Sequence, residues 1–329
     1  TGSALGIASN ATKVLRSLGI DLTADACCRA LGDFELRTAR GGLIRALPGS
    51  AITSALEHPF VSIHRGELMR TLHTAAGDTA IHYGAEVIDV AGDDRGARAL
   101  CADGTEIRAT VVVGADGFHS AVRSTIAGEQ APIDYGYVCW LATVRYAPEG
   151  MTPGFTAHYW GRGQRFGLID IGGGITYWWA TKNMRPAQAR RWDGDKADVL
   201  AAFDGWAPAV VEAIDRTPAD ALISVPGQDR PFLTTWGSGP VTLLGDAAHP
   251  MLTSRSQGAG SAVEDGYVLA EALARVPDPV QALRAYEDRR RRRTRMLVNS
   301  SRRLNRLEQA QNPVACAARN VGMRCAPMR

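Results

Sequence analysis

The sequence predicts an α/β architecture in which segments of a parallel sheet flank an antiparallel sheet, with a long helix closing the chain. Three observations carry this expectation. Two stretches, around Asp116 and Asp246, pass from a short apolar strand through a small-residue turn into a helix, as buried parallel sheets do. Between them, Tyr135–Thr181 alternates in polarity and gathers aromatics between the glycine-rich turns at Gly161-Arg162-Gly163 and Gly172-Gly173-Gly174, the pattern of antiparallel hairpins. After Pro279, apolar residues recur at helical spacing as far as Leu307.

In chain order, Asn10–Leu18 reads as a helix with Val14, Leu15 and Leu18 on one face and Gly19 as its stop. Leu31–Ile52 reads as short strands and turns, punctuated by Gly41-Gly42 and Pro48-Gly49. Ile63-His-Arg-Gly-Glu-Leu68 opens another helix, packed through Leu68 and Leu72. Ala85–Val90 is strand-like, Asp93–Gly96 turns, and Asp103-Gly104 accepts the positive φ of a second hairpin. Val111–Val113 is a buried strand, Gly114–Gly117 a turn, and Ser120 the cap of the next helix. The antiparallel strands are Tyr137–Arg145, Phe155–Trp160, Arg165–Ile171 and Ile175–Thr181. Asp195–Ile214 is helical, with Val199, Phe203 and Val210 or Val211 inward, and Ser224–Trp236 leads back to the parallel part.

Val241–Leu244 is the second buried strand. Gly245 ends it and Asp246 stands at its carboxyl end, where open α/β sheets bind ligands. Gly258-Ala259-Gly260 leads into a helix with Ala262, Gly266, Ala270 and Leu273 on one face, ending before Pro277. Its free N–H groups suit an anion or a polarised carbonyl. In the last helix, Leu283, Tyr286, Met296 and Leu297 form the packing side and the Arg289–Arg293 run a solvated face. From Gln311 no period is evident.

Composition sets limits. The 329 residues are 45% hydrophobic with a net charge of +3, too small to argue for nucleic acid. Six cysteines without a Cys-x-x-Cys pair point away from zinc and towards a reducing compartment, so a cytoplasmic location is expected. No apolar run approaches membrane-spanning length, no signal peptide is evident, and the chain begins with Thr1. No nucleophile–base pair or metal-ligand spacing stands out, so the chemistry is expected to belong to an organic cofactor.

Val241-Thr-Leu-Leu-Gly-Asp-Ala-Ala-His-Pro250, with Gln257-Gly-Ala and Glu264-Asp265 further on, closely resembles the GD motif of FAD-dependent monooxygenases of the p-hydroxybenzoate hydroxylase type. Gly114-Ala-Asp-Gly-x-x-Ser-x-Val-Arg123 resembles their DG motif at every named position, and Ile63-x-Arg-x-x-Leu68 a third segment. The resemblance implies a Rossmann-like FAD-binding domain, N-terminally truncated, with an inserted antiparallel β-sheet substrate domain and a C-terminal helix. The expected boundaries are 1–130 and 228–278 for the FAD-binding parts, 131–227 for the sheet and 279–329 for the helical segment. Gly2–Asn10 resembles the family's segment just after the first βαβ unit. The Gly-x-Gly-x-x-Gly turn and ribose-binding acid are therefore expected to be missing from this chain.

The same resemblance assigns roles. Asp246 binds the ribityl chain, in the turn shaped by Gly245 and Pro250, while Ser256, Gln257, Gly258, Ala259 and Gly260 lie under the flavin's pyrimidine edge. Arg65 approaches the phosphates or ribityl, and Val87 meets the adenine through its backbone. Asp116, Gly117 and Arg123 lie by the pyrophosphate and the path of NAD(P)H. Arg165 and Tyr177 match an Arg and a Tyr near substrate and flavin in the urate-hydroxylating branch. Tyr159, Trp178 and Trp179 are further pocket candidates, although about half of such aromatics pack on a sheet's other face. His249 is expected to pack in the turn beside Asp246 rather than act as a base. Arg255 and Ser256 depart from the motif's apolar residue and Gly; Ser256 fits if its φ is negative, and Arg255 is expected to face solvent.

The implied reaction uses FAD, NADPH or NADH, and O₂ to hydroxylate an aromatic or heteroaromatic small molecule through a flavin C4a-hydroperoxide. A monomer or homodimer is expected, without nucleic-acid partners or stable membrane insertion. The alternatives are another flavin reaction on the same fold, epoxidation or reduction, and a truncated fragment unable to hold FAD.

Overall fold

A computed structural model describes residues 3–55 and 57–325. Gly2, the first residue of the stretch likened to the family's post-βαβ segment, lies outside them. The chain opens with β1 (Ala4–Ile7), α1 (Ser9–Ser17), β2 (Cys28–Ala30), β3 (Phe34–Thr38), β4 (Leu43–Leu47), α2 (Gly49–Ala55), β5 (Val61–His64) and α3 (Arg65–Ala75). Next come β6 (Val87–Asp93), β7 (Gly96–Cys101), β8 (Glu106–Ala109), β9 (Val112–Gly114) and α4 (Ala121–Ala127). The middle holds β10 (Ile133–Val144), β11 (Thr156–Trp160), β12 (Gln164–Asp170), β13 (Thr176–Asn183), α5 (Pro186–Arg190), α6 (Lys196–Ala202) and α7 (Pro208–Asp215). It ends with β14 (Ile223–Asp229), β15 (Gly237–Ser238), β16 (Val241–Leu243), α8 (Gly258–Arg275), α9 (Pro279–Glu308) and α10 (Pro313–Cys325). Two compact units form, one from 1–75, 134–227 and 304–329, the other from 76–133 and 228–303.

The first unit is built on a seven-stranded sheet, β14-β10-β13-β12-β11-β3-β4. β10, β13, β12 and β11 pair antiparallel in succession, as their alternation predicts, and β3 adds in parallel to β11. One face buries Trp140, Phe166 and Trp178 against Val199 and Phe203 and against Val210 of α7. Phe166 and Trp178 stack at 5.4 Å, and the indole N–H of Trp178 donates to Thr217 Oγ1 at 2.8 Å, which satisfies the one polar atom of a wholly buried ring.

Several expectations change here. The β3–β4 hairpin belongs to this sheet, although the sequence boundaries put it with the 1–130 segment. Asp195–Ile214 is two helices: a capping box of Asp195 and Asp198 starts α6, and Gly205 at φ +70 and Pro208 separate it from α7. Ile63 and His64 end β5, so the helix begins only at Arg65. Leu18 is exposed, and the stretch after Gln311 contains α10. Trp160 and Leu36 pack with Met323, which gives that last helix its anchor.

In the second unit, β16 lies between β15 and β9 and is parallel to β9, with Val241 opposite Val112 and Leu243 opposite Gly114. The turns at Asp93–Gly96 and Asp103-Gly104 make β6, β7 and β8 a separate meander, with Gly104 at φ +86. The core gathers Val122, Trp236, Leu243, Leu269, Leu283 and Tyr286.

Two helix faces differ from expectation. α8 buries Ser261, Asp265, Leu269 and Ala272, not the stripe through Ala262, Gly266, Ala270 and Leu273. In α9, Leu283 and Tyr286 are buried, but Met296 is exposed and Arg290, inside the arginine run, is 4% exposed. Hydrophobicity alone turns α8 the wrong way; in α9 it places Leu283, Tyr286 and half-buried Leu297 correctly but misses Arg290. The reason is that each helix buries a charged residue that pairs with the other: Arg290 Nε donates to Asp265 Oδ1 at 2.6 Å. Among the described residues no helix is long and apolar enough to cross a membrane.

Candidate functional site

Parallel pairing of β9 and β16 sends both strands out at the same end of the sheet. Asp116 follows Gly114 by two residues and Asp246 follows Leu243 by three, so both aspartates stand just beyond strand carboxyl ends at that end of the sheet. Gly114 is needed where β9 leaves the sheet, since a Cβ there would come within 2.6 Å of Val122 and 2.9 Å of Leu243. Gly245, at φ +62, starts the turn that carries Asp246. Asp246 is exposed while Gly245, Ala247, Ala248, His249 and Pro250 are buried. A Cβ on Gly258 would lie 3.8 Å from Asp246 Oδ1, so the carboxylate stands over the first turn of α8.

The first turn of α8 runs Gly258-Ala259-Gly260, after Gln257 at its N-cap. Gln257 makes no side-chain cap, so the helix start keeps N–H groups and the positive dipole end for a ligand. Ser256, immediately before, sits at φ +50 and ψ 35. It is the one non-glycine residue with positive φ among the described residues. The condition of a negative φ at Ser256 is therefore not met: the left-handed conformation that favours glycine is adopted with a serine in it. Arg255 is exposed, as expected. A carboxylate for hydroxyl groups and a glycine-bearing helix start for a polarised carbonyl fit the cofactor the resemblance implies.

Asp116 is exposed at this edge, but its oxygens also accept from Ser120 Oγ at 2.6 Å and Val122 N at 3.2 Å, so it caps α4 together with Ser120. Gly117 follows at φ +78 with open space around its Cα. Arg123 has a different task from the one expected. It is 1% exposed, and its Nη1 donates to Ala247 O and Ala248 O at 3.0 and 3.1 Å. Its Nη2 donates to Gln130 Oε1 at 2.9 Å and Pro231 O at 2.5 Å. Burial, with the Arg230 guanidinium beside it, lowers it to about 10, still charged at neutral pH. Arg123 thus staples the Asp246 turn and shows no face to a ligand. Val87 starts β6 in the same unit, half-buried against the core. Arg65 is the exposed first residue of α3, in the other unit.

In the seven-stranded sheet, strand alternation divides the pocket candidates. Tyr159 and Trp178 point into the helix-covered core with Phe166 and Phe203, so neither faces a pocket. Arg165 and Tyr177 lie on the opposite face with Trp179 and His158, as the pairings Arg165–Thr181, Gly167–Trp179, Ile169–Tyr177 and His158–Gly167 require. Trp179 lies across Gly167, where a Cβ would meet its ring at 2.2 Å. His158 stands edge-on between Phe34 and Trp179, each 5.0 Å away. Burial, helped by the Arg165 charge, lowers His158 to about 3 and keeps it neutral. Burial, with Cys139 nearby, raises Tyr177, which keeps its proton. Arg165 sits 5.2 Å over Trp179 and ion-pairs with Glu308 from the end of α9, both side chains buried.

Sequence reasoning missed His158 and Glu308, read Arg290 as part of a solvated face, and quoted Asp265 only as a member of a motif. His158 had a signal, since it shares strand parity with Trp160 and the β12 partner positions. Glu308 and Arg290 had none, because their partners lie on other elements, and the motif that contains Asp265 does not say what it bonds. No cluster of potential metal ligands occurs among the described residues.

A family model described as FAD binding domain matches residues 63–301. Aurachin C monooxygenase/isomerase of Stigmatella aurantiaca is 34% identical over 98% of this chain and 84% of its own length. Chloroplastic zeaxanthin epoxidase of Nicotiana plumbaginifolia is 32% identical over 73% of this chain, which is 38% of that protein. Among solved structures, Klebsiella pneumoniae HpxO complexed with FAD and uric acid matches with a TM-score of 0.89 at 24% identity, over 98% of this chain and 84% of that one. A salicylate hydroxylase substrate complex matches with a TM-score of 0.80 at 22% identity, over 98% and 86%.

Proposed function

The chain belongs to the FAD-dependent monooxygenases of the aromatic-hydroxylase type, and from that premise we propose that it hydroxylates an electron-rich aromatic or heteroaromatic small molecule with NADPH or NADH and O₂. The observation that carries the reading is the shared exit of β9 and β16, with exposed Asp246 over the start of α8. When bound, FAD would supply the oxygen activation, with the nicotinamide as the source of the two electrons that let one atom of O₂ enter the ring and the other leave as water.

The chain's own residues hold and orient. Asp246 accepts hydrogen bonds from hydroxyl groups of the cofactor chain. The N–H groups of Gly258 and Ala259, at the positive end of α8, would stabilise negative charge on a polarised carbonyl of the cofactor. Tyr177 presents a hydroxyl to the substrate ring, Arg165, buried with Glu308, packs over Trp179, and Trp179 and His158 exclude water around the ring. His158, kept neutral, adds no competing charge.

The relative's name, aurachin C monooxygenase/isomerase, supports a monooxygenase reaction, and the uric acid bound by the HpxO structure supports a ring substrate. Likeness to zeaxanthin epoxidase supports a second reading, epoxidation of an alkene. Mass spectrometry of products formed under ¹⁸O₂, from candidate phenols, nitrogen heteroaromatics and a polyene, tests both. A labelled hydroxylated ring supports hydroxylation and a labelled epoxide the alternative. Nicotinamide oxidation that releases only hydrogen peroxide with every compound counts against both.

A further inference from the structure

We propose that Asp265, His249 and Arg290 form a buried positioning network that sets the direction of Asp246, and that Arg123 completes it through the carbonyls of the same turn. The inference rests on the FAD-binding reading and adds residues to it that do not touch the cofactor.

One carboxylate holds both ends of the 245–249 turn. Asp265 Oδ2 accepts from Gly245 N at 3.0 Å and lies 2.6 Å from His249 Nε2, which donates to it. Its other oxygen accepts from Arg290 Nε at 2.6 Å. Arg290 Nη2 pairs in turn with Glu264 Oε2 at 2.8 Å. Within the turn, Ala248 N and His249 N both donate to Gly245 O at 2.9 Å. Arg123 holds Ala247 O and Ala248 O. The backbone and side chains around Asp246 are thus tied down, and Asp246 is the exposed residue of the turn.

Burial argues that this serves more than stability. Asp265 is 0%, His249 1% and Arg290 4% exposed. Well-packed apolar residues stabilise such a place at least as well as an ion pair, whereas a bonded polar network fixes one geometry. Of the buried side-chain atoms here only His249 Nδ1 and Arg123 Nε lack a partner among the described residues. Burial pushes the Asp265 carboxyl up, but the bonds and charges of His249 and Arg290 outweigh it and hold the group below its ordinary value. The carboxylate therefore stays an acceptor for the Gly245 N–H.

A control lies beside the network. Arg293 forms a forked pair with Glu264, at 3.0 Å through both nitrogens, and so ties α9 to α8 without reaching the turn. The test titrates the flavin-stripped full chain with FAD by fluorescence quenching and records thermal midpoints without FAD, for wild type, Arg290→Gln, Arg290→Lys, His249→Gln and Arg293→Gln. Arg290→Gln and His249→Gln should each raise the FAD Kd about tenfold or more, and Arg290→Lys should recover part of the loss. Arg293→Gln should lower the midpoint yet leave Kd within about twofold. Should Arg290→Gln fail to fold, His249→Gln and Arg290→Lys carry the same comparison. Equal Kd values for all folded variants and wild type overturn this inference alone. A wild-type chain that binds no FAD overturns the FAD-binding reading with it.

Discussion

Ser256 shows how a single side chain departs from its motif without altering the backbone. Left-handed φ and ψ cost an L-residue about 1–2 kcal/mol, least for small polar side chains that bond locally. Ser256→Val should therefore lower stability by about 1–2 kcal/mol. Ser256→Gly should stay within about 1 kcal/mol of wild type, because relieved strain is offset by a freer unfolded chain. Urea midpoints of the two variants decide it, and equal loss from both would mean that the strain is not there. His158 makes a second prediction. Its protonation is disfavoured in the fold, so above about pH 6.5 it is neutral in both states and costs nothing. As pH falls from about 6.5 to its folded value of about 3, the unfolded chain takes up a proton that the folded chain refuses. Stability then drops by up to about 1.4 kcal/mol per pH unit, and His158→Gln should remove that slope. The comparison is urea unfolding of both proteins at about pH 7 and about pH 5; parallel losses would reject it.

At the scale of elements, the last turn of α9 and strand β12 meet through Arg165 and Glu308, both buried. Removing one partner leaves a charge in an apolar place, so Glu308→Ala should cost about 3–5 kcal/mol. Replacing both, Arg165→Met with Glu308→Leu, should restore most of that stability while removing the cation that packs over Trp179. A double variant as unstable as the single one would show that the pair contributes by geometry rather than by mutual neutralisation. Strands are the most legible elements. Alternation alone places the four aromatic strands β10 to β13 close to their true limits, because each alternates between a helix-packed face and a face of mixed polarity. Helix faces are less legible. In α8 and α9 the buried stripe includes Asp265, Glu287 and Arg290, and a pattern that seeks apolar residues rotates past them.

For the whole molecule, the proposed cofactor binding links to folding. FAD at about a hundred times its Kd should stabilise the folded chain by about 2.7 kcal/mol, seen as a rise in thermal midpoint. Asp246→Ala should lose most of that rise while leaving the FAD-free midpoint near wild type, since Asp246 is exposed. No rise in wild type would count against FAD as the ligand. The division into two compact units also belongs to this scale. Each gathers separated stretches of chain, 1–75 with 134–227 and 304–329, and 76–133 with 228–303. Boundaries drawn along the sequence therefore assign β3 and β4 to a different neighbourhood from the one their hydrogen bonds choose.

By itself the sequence determined the two strand–turn–helix motifs, the aromatic antiparallel strands, the family and the place of Asp246 at the carboxyl end of a strand, because these depend on local periodicity, turn chemistry and short motifs. Only the tertiary structure decided that Arg123 braces the turn, that Tyr159 and Trp178 belong to the core, and that Asp265 and Arg290 are buried together. The physical reason is common to all three. Whether a polar or aromatic side chain is buried depends on a partner supplied by another element, often more than a hundred positions away, as Ala247 and Ala248 are for Arg123, and no local pattern encodes that partner.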